Sequence, residues 1–184
     1  YKHIIDLVER GLCRYKDIYS ETDNRRGPFV LYEKYSRRDV CQLFNWGADF
    51  SSTMYGMKRV DDNVAIFVTY HKGKAGEGEE YLDGKPDYTD VFEDNQIFMW
   101  ESQMGKGPDS SYMRDVKEAS QKHLFIKKND AEGVDFYYMG QFDIMEIGGG
   151  KKKDKNGKYK EISRVRVKMH DIVRDDLLEY LQKK

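Results

Sequence analysis

From His123 to Met169 the chain runs through one β-type segment after another with little between them. "HLFIKK", "VDFYYMG" and "QFDIMEI" crowd together, and "NDAEG" between the first two has the make-up of a hairpin turn. Parallel neighbours need a crossover of a dozen residues or more, whereas antiparallel ones need only a tight turn. Spacing this short commits the segment to antiparallel pairing. Asn156–Gly157, inside "GGGKKKDKNGKYK", is a type I′ hairpin signal. "ISRVRVKM" sets Ile162, Val165, Val167 and Met169 against Ser163, Arg164, Arg166 and Lys168, an imperfect period of two.

The rest of the chain supplies fewer strands and several helices. "NVAIFVTY" (63–70) is the clearest buried strand, being β-branched and aromatic throughout. "FVLYEKY" and "QIFMW" are further strand candidates. "HIIDLVERGL" reads as a short helix ending at Gly11, and "ETDNRRGP" as a polar loop. "SRRDVCQLFNW" opens a helix, with Ser36 as N-cap, Asp39 as its capping-box acid, Val40, Leu43 and Phe44 as its stripe, and Gly47 able to end it. "GADFSSTMYGMKRV" is either a second short helix or a loop entering a strand. A serine-capped helix is expected over 111–121, and another over "DIVRDDLLEYLQ" with Ile172, Val173, Leu177, Leu178 and Leu181 on one side.

The expectation is an α+β fold of six or seven strands. Its sheet is mainly antiparallel, strongly curved or closing toward a small open barrel, with an N-terminal helical part and a C-terminal helix packed on it. At 184 residues the chain suits a single domain over 1–184, with 1–27 as a helical lead-in to a core at 28–184. It starts at Tyr1 with a helical pattern already under way, as a piece of a longer multidomain protein would.

Charge is balanced, 32 basic against 33 acidic side chains, so only local clustering could argue for a nucleic-acid partner. Cys13 and Cys41 are the only cysteines, which is too few for a disulfide framework or a cysteine-rich zinc site. A reducing, cytoplasmic setting is expected. No apolar run approaches the length of a membrane span and no signal peptide is visible.

Several chemistries are missing from the sequence. "GKAGEGEE" has glycines but ends in glutamates where a phosphate-cradling loop has Lys and Ser/Thr. His3, His71, His123 and His170 are scattered, without two ligands on one helix face. His71 and Lys74 stand one residue too far apart for a phospholipase-D-type signature. Asp83, Lys85 and Asp87 in the acidic run 77–94 have the residue types of a metal-dependent nuclease, but a solvated loop is the simpler reading. No catalytic residue, metal site or cofactor is expected.

Binding residues are easier to nominate. Arg37 and Arg38 occupy the first turn of a helix, where a cation opposes the dipole by roughly 0.3–1 kcal/mol. Free amides, a hydroxyl cap and two guanidinium groups there would trap a phosphate; two solvated arginines balanced by Asp39 is the plainer alternative. Ser52, Thr53, Lys58 and Arg59, with Tyr55 among them, outline a helix-turn-helix or a backbone-contacting loop. The strand ends Tyr70, His71, Lys72 and Trp100, Ser102, Gln103 suit the rim of a base pocket, or else core aromatics with one wet end. Lysines 151, 152, 153, 155, 158 and 160, and the pair Lys127 and Lys128, are either solubilising tips or phosphate contacts.

"LYEKYSRRDVCQLFNWGADFSSTMYGMKR", "IFVTYHKG", "YTDVF", "FMWESQ", "HLFIKKNDAEGVDFYYMG" and "LLEYL", in this order, resemble one family over residues 30–182. It is a C-terminal domain of bacterial superfamily II DEAD/DEAH-type helicases, many of which carry an N-terminal phospholipase-D-like nuclease domain. The resemblance implies a restriction or defence setting, with the motor and nuclease outside this chain as its partners. It implies a non-catalytic part that binds nucleic acid, expected to be DNA, and reads its sequence or its modifications. On the matching positions it favours Arg37, Arg38, Ser52 and Thr53 as phosphate contacts, with Lys58, Arg59 and Lys72 extending the contact. Trp46, Tyr55, Tyr70, His71, Trp100, Ser102 and Gln103 would surround a base, an analogy to barrel-like readers of modified bases. A domain that only docks onto the motor, and a cryptic metal-dependent nuclease, are the alternatives. The acidic, glycine-rich insertion at 73–95 departs from the usual pattern and puts direct pairing of strands 63–70 and 96–100 in doubt.

Overall fold

The structure, a computed structural model, describes residues 2–19 (side chains through 13), 24–71, 90–154 and 156–183. Helix α1 (Lys2–Tyr19) leads to strands β1 (Arg25–Arg26), β2 (Phe29–Val30) and β3 (Lys34–Ser36), then to helix α2 (Arg37–Leu43). Strands β4 (Met57–Val60), β5 (Asn63–Thr69), β6 (Val91–Phe92) and β7 (Ile97–Glu101) precede helix α3 (Ser111–Glu118). Strand β8 (Gln121–Lys127), the long β9 (Asp135–Lys153), β10 (Tyr159–Met169) and helix α4 (Asp175–Gln182) complete the chain.

One eight-stranded sheet carries the molecule, in the order β4-β5-β8-β9-β10-β7-β6, with β3 on the other edge of β9. Pairing is antiparallel except between β5 and β8, which run parallel because β6, β7 and α3 lie between them in sequence. The α+β class, the mainly antiparallel sheet and the terminal helices are as expected; the sheet stays open, with β4 and β6 as its two ends. The strand ending at Thr69 and the one starting at Ile97 do not pair: β8, β9 and β10 stand between them.

Alternation sorts the core into two layers. Val64, Ile66, Val68, Leu124 and Ile126 face one side, where Met113 and Val116 of α3, Leu177 and Leu181 of α4, Phe98, Trp100 and Val165 cover them. Ala65, Phe67 and Phe125 face the other, beneath Val40 and Cys41 of α2, Phe29, Trp46 and Met54. A strand covered on both faces needs apolar residues at consecutive positions, which is why "NVAIFVTY" has no polar alternation. Each such side chain contributes roughly 1.5–3 kcal/mol by leaving water.

Strand β9 joins both halves by bending at two bulges. Met139 is the extra residue opposite β8, where Leu124 pairs Gly140 but Phe125 pairs Tyr138. Met145 is the extra residue opposite β10, where Arg166 pairs Glu146 but Val167 pairs Ile144. An added residue kinks a strand and raises its twist. Gly140 sits at φ 101°, and a Cβ there would lie 3.0 Å from Leu31 Cδ2 and 3.2 Å from Asp171 Oδ2.

Several local expectations need correcting. α1 passes through Gly11 and continues to Tyr19. Arg25–Arg26, expected as loop, pairs with Phe29–Val30 across Gly27. "FVLYEKY" is split in two by Tyr32, at φ 68°. α2 ends at Leu43, which is exposed, and Asn45 at φ 53° precedes Gly47 in taking the left-handed conformation. Residues 51–53 form a turn into β4, so no second helix and no helix-turn-helix forms there. α3 stops at Glu118 because β8 begins at Gln121. The two segments "VDFYYMG" and "QFDIMEI" are one strand, and it runs on through Gly148–Gly150 and Lys151–Lys153. At its end the Gly157 amide donates to the Asp154 carbonyl with Gly157 at φ 76°. Asn156 is not among the described residues with positive φ, so the turn is of the kind that ends in a left-handed glycine and not type I′. Residues 171–174 stay outside α4, leaving Ile172 exposed.

Candidate nucleic-acid interface

The two arginines of the α2 start have partners within the fold. Ser36 Oγ accepts from the Asp39 amide, and Asp39 accepts from the Ser36 amide, a full capping box. That places a carboxylate where a phosphate would have to approach. The Arg37 guanidinium lies over the rings of Phe136 (5.0 Å) and Phe67 (5.4 Å), and burial lowers its pKa. Its Nε is buried without a hydrogen-bond partner, as suits a cation held by ring faces. Arg38 is exposed and pairs with Asp49 at 3.1 Å.

The next segment disperses its candidates. Trp46 is buried, stacked on Phe44 at 5.1 Å and 12°, on the α2 side of the sheet. Thr53 donates its hydroxyl to the Phe50 carbonyl; Ser52 is exposed beside it. Lys58 lies 4.3 Å above the Phe50 ring. Arg59 bonds Glu118 at 2.9 Å and the Asp61 carbonyl, tying β4 to α3.

The strand ends are more buried than their polar neighbours imply. Tyr70 is a core side chain whose hydroxyl accepts from the Phe92 amide, and burial raises its pKa. His71 Nε2 lies 2.7 Å from the Leu181 carbonyl, which docks the end of α4. Lys72 falls outside the described residues, as do Asp83, Lys85, Asp87 and Lys155. Trp100 is 6% exposed and packs against Tyr112 at 6.1 Å. Ser102 is a lock: its oxygen accepts from the Ser163 amide at 2.8 Å and its hydroxyl donates to the Lys106 carbonyl at 2.7 Å. Ser163 donates to the same carbonyl.

That lock fixes a loop, 103–107, around which the surviving candidates gather. Gln103 Nε2 donates to the Tyr55 carbonyl at 2.9 Å. The Tyr55 ring is 72% exposed, although its amide bonds Thr53 and the next carbonyl, of Gly56, accepts from Phe67. Lys106 Nζ stands 5.7 Å from the Tyr112 ring, and burial raises the Tyr112 pKa. On its far side the loop meets the β9–β10 ribbon: the Gly105 amide donates to the Glu161 carbonyl, and a Cβ at Gly107 would touch the Glu161 side chain. The ribbon then presents Lys151, Lys158 and Lys160, all exposed, with Lys160 paired to Asp154 at 3.2 Å.

One feature escaped the sequence reading. Glu101, buried, meets Lys152 Nζ at 3.2 Å and Arg164 Nε at 3.9 Å, and its amide donates to buried Asp90 at 2.8 Å. The imperfect alternation of "ISRVRVKM" was its signal: Arg164 lies opposite Glu101 in the β7–β10 ladder. Arg164 also fills the space over Gly150, where a Cβ would come within 3.4 Å of its guanidinium. Among the described residues no group of three or more His, Cys, Asp or Glu is placed to hold a metal ion, and no helix is long and apolar enough to cross a membrane.

The profile of a domain family, described as a domain of unknown function (DUF3427), matches residues 29–181. The chain belongs to the DUF3427 family. No curated protein matches it. The DUF3427 match takes in every described element after α1 and β1 except the final residue of α4, so the sheet and both core layers are the family's.

Proposed function

We propose that this DUF3427 domain is a nucleic-acid-binding accessory module of a bacterial helicase–nuclease protein, without catalysis of its own, that recognises DNA or senses its modification. The observation that carries the reading is the loop 103–107: Gln103 holds the backbone of the exposed Tyr55, Lys106 lies in the loop, and its far side meets a ribbon with exposed lysines. An aromatic face, an amide and ammonium groups are the three contacts a nucleotide accepts. The balanced overall charge fits a local basic strip better than a wholly basic domain. The helicase and nuclease setting rests on the ordered sequence blocks that resemble such proteins.

Binding of the chain to unmodified and modified DNA across a salt series tests the reading. Log affinity should fall linearly with log salt, and Lys158→Gln with Lys160→Gln should weaken binding and lower the slope by about one to two. Absence of affinity at low salt would sink it.

A docking role is favoured by a different observation. Ile4, Ile5, Leu7, Val8 and Leu12 of α1 are each more than half exposed. A helix with this much apolar surface in water marks a contact face.

A further inference from the structure

Loop 103–107 is bonded to the Tyr55 backbone through Gln103 and to the β9–β10 ribbon through Gly105, which bears on the form of nucleic acid this surface accepts. Side chains in a strand alternate, so Tyr159 emerges on the ribbon face that carries Glu161, and Glu161 lies against Gly107. Two residues of strand separate them, about 6.8 Å. Tyr159 is 44% exposed and pairs with Lys153 in the ladder, between Lys158 and Lys160 in sequence. Loop 103–107, with Lys106 within it, thus connects the exposed Tyr55, whose carbonyl Gln103 holds, to the strand that carries the exposed Tyr159 two residues from Glu161. The acids in the strip are Asp154, which pairs with Lys160, Glu161 and Asp109.

A tyrosine ring can stack only on a base that has left its own stack. In a duplex the base faces are covered, and a protein reads edges with a helix or ribbon in a groove. Helices α2 and α3 are poorly placed for that, and groove reading by the β9–β10 ribbon is the case that the duplex probe below separates. α2 caps the second core layer, α3 is pinned through Glu118 and Asp115 to Arg59, and no recognition helix follows α2. Exposed rings and ammonium groups on the segments joined by a locked loop suit a single strand, stacking for bases and cations for phosphates.

We infer that the face formed by Tyr55, loop 103–107 and the β9–β10 ribbon binds single-stranded nucleic acid, with Tyr55 and Tyr159 as stacking platforms. This rests on the nucleic-acid reading above and narrows it. The test uses a labelled oligo-dT strand, the same strand annealed to oligo-dA, and that duplex with an unpaired bulge. The single strand should bind about tenfold tighter than the perfect duplex, with the bulged duplex between. Tyr55→Leu and Tyr159→Leu should each weaken single-strand binding about tenfold at unchanged salt slope, while Tyr55→Phe and Tyr159→Phe retain it. Both tyrosines are exposed, so unchanged circular dichroism and melting are expected for all four variants. Equal affinity for strand and duplex, or leucine variants that bind like the parent, overturns the inference. If the lysine variants still lose affinity in that case, the nucleic-acid reading stands without it; no affinity for any probe removes both.

Discussion

His123 sits where a charge is least welcome. Its Nδ1 lies 2.9 Å from the Tyr138 hydroxyl, the edges of Phe29 and Phe44 close around it, and Gln141 stands 3.4 Å from Nε2. Burial, and His170 nearby, push its pKa down to about 4 from 6.5. Between those values the unfolded chain holds a proton that the folded one refuses. The stability tied to neutral His123 is therefore complete above about pH 6.5 and lost as pH falls toward 4. Urea unfolding should show stability on the order of 2 kcal/mol lower at pH 5 than at pH 7, and His123→Gln should flatten that dependence. Tyr55 and Trp100 give a second contrast. Trp100→Ala should cost roughly 3–5 kcal/mol, because that ring is in the core, while Tyr55→Ala should move stability by less than about 0.5 kcal/mol. Trp100 lies in β7 with its ring turned into the core, whereas Tyr55 lies in the bend before β4 with its ring in water; residue type alone does not separate the two.

At the scale of elements, β9 decides most. A helix-length strand crossing from one half of the sheet to the other has to bend, and its two bulges do this at Met139 and Met145. Gly140→Ala should destabilise by roughly 1–3 kcal/mol, since its positive φ and the nearby Leu31 and Asp171 leave no room for a Cβ. Gly148→Ala, whose nearest neighbour would be 3.9 Å away, should change stability by less than about 0.5 kcal/mol. Paired thermal melts of the two variants check this. The strand types along 123–169 were legible because short turns admit one pairing direction. The merging of two segments across Met139–Gln141 was not, because a bulge has no pattern of its own beyond one glycine. The capping box of α2 was legible in full, since Ser36 and Asp39 act within one turn.

At the scale of the molecule, none of the described α1 side chains, residues 2–13, belongs to either core layer. Ile5→Asp with Leu12→Asp should leave the melting of the sheet unchanged to within about 2 °C, because those side chains are more than half exposed; a larger fall would show that α1 supports the core. The sequence determined the strand character of 63–70, 97–100 and 123–169, the antiparallel majority, the two-sided burial of β5 and the caps of α2 and α3, all of which are local in the chain. Only the tertiary structure decided the strand order, the open sheet, the burial of Tyr70, Trp100 and Trp46, and the partners of Arg37 and Glu101. Those depend on residues far apart in sequence meeting in space: Arg37 finds Phe67 and Phe136, Glu101 finds Lys152 and Arg164, and Gln103 finds Tyr55. A side chain's type states which contacts it can make, and the packing of the sheet states which of them remain to be made with something else.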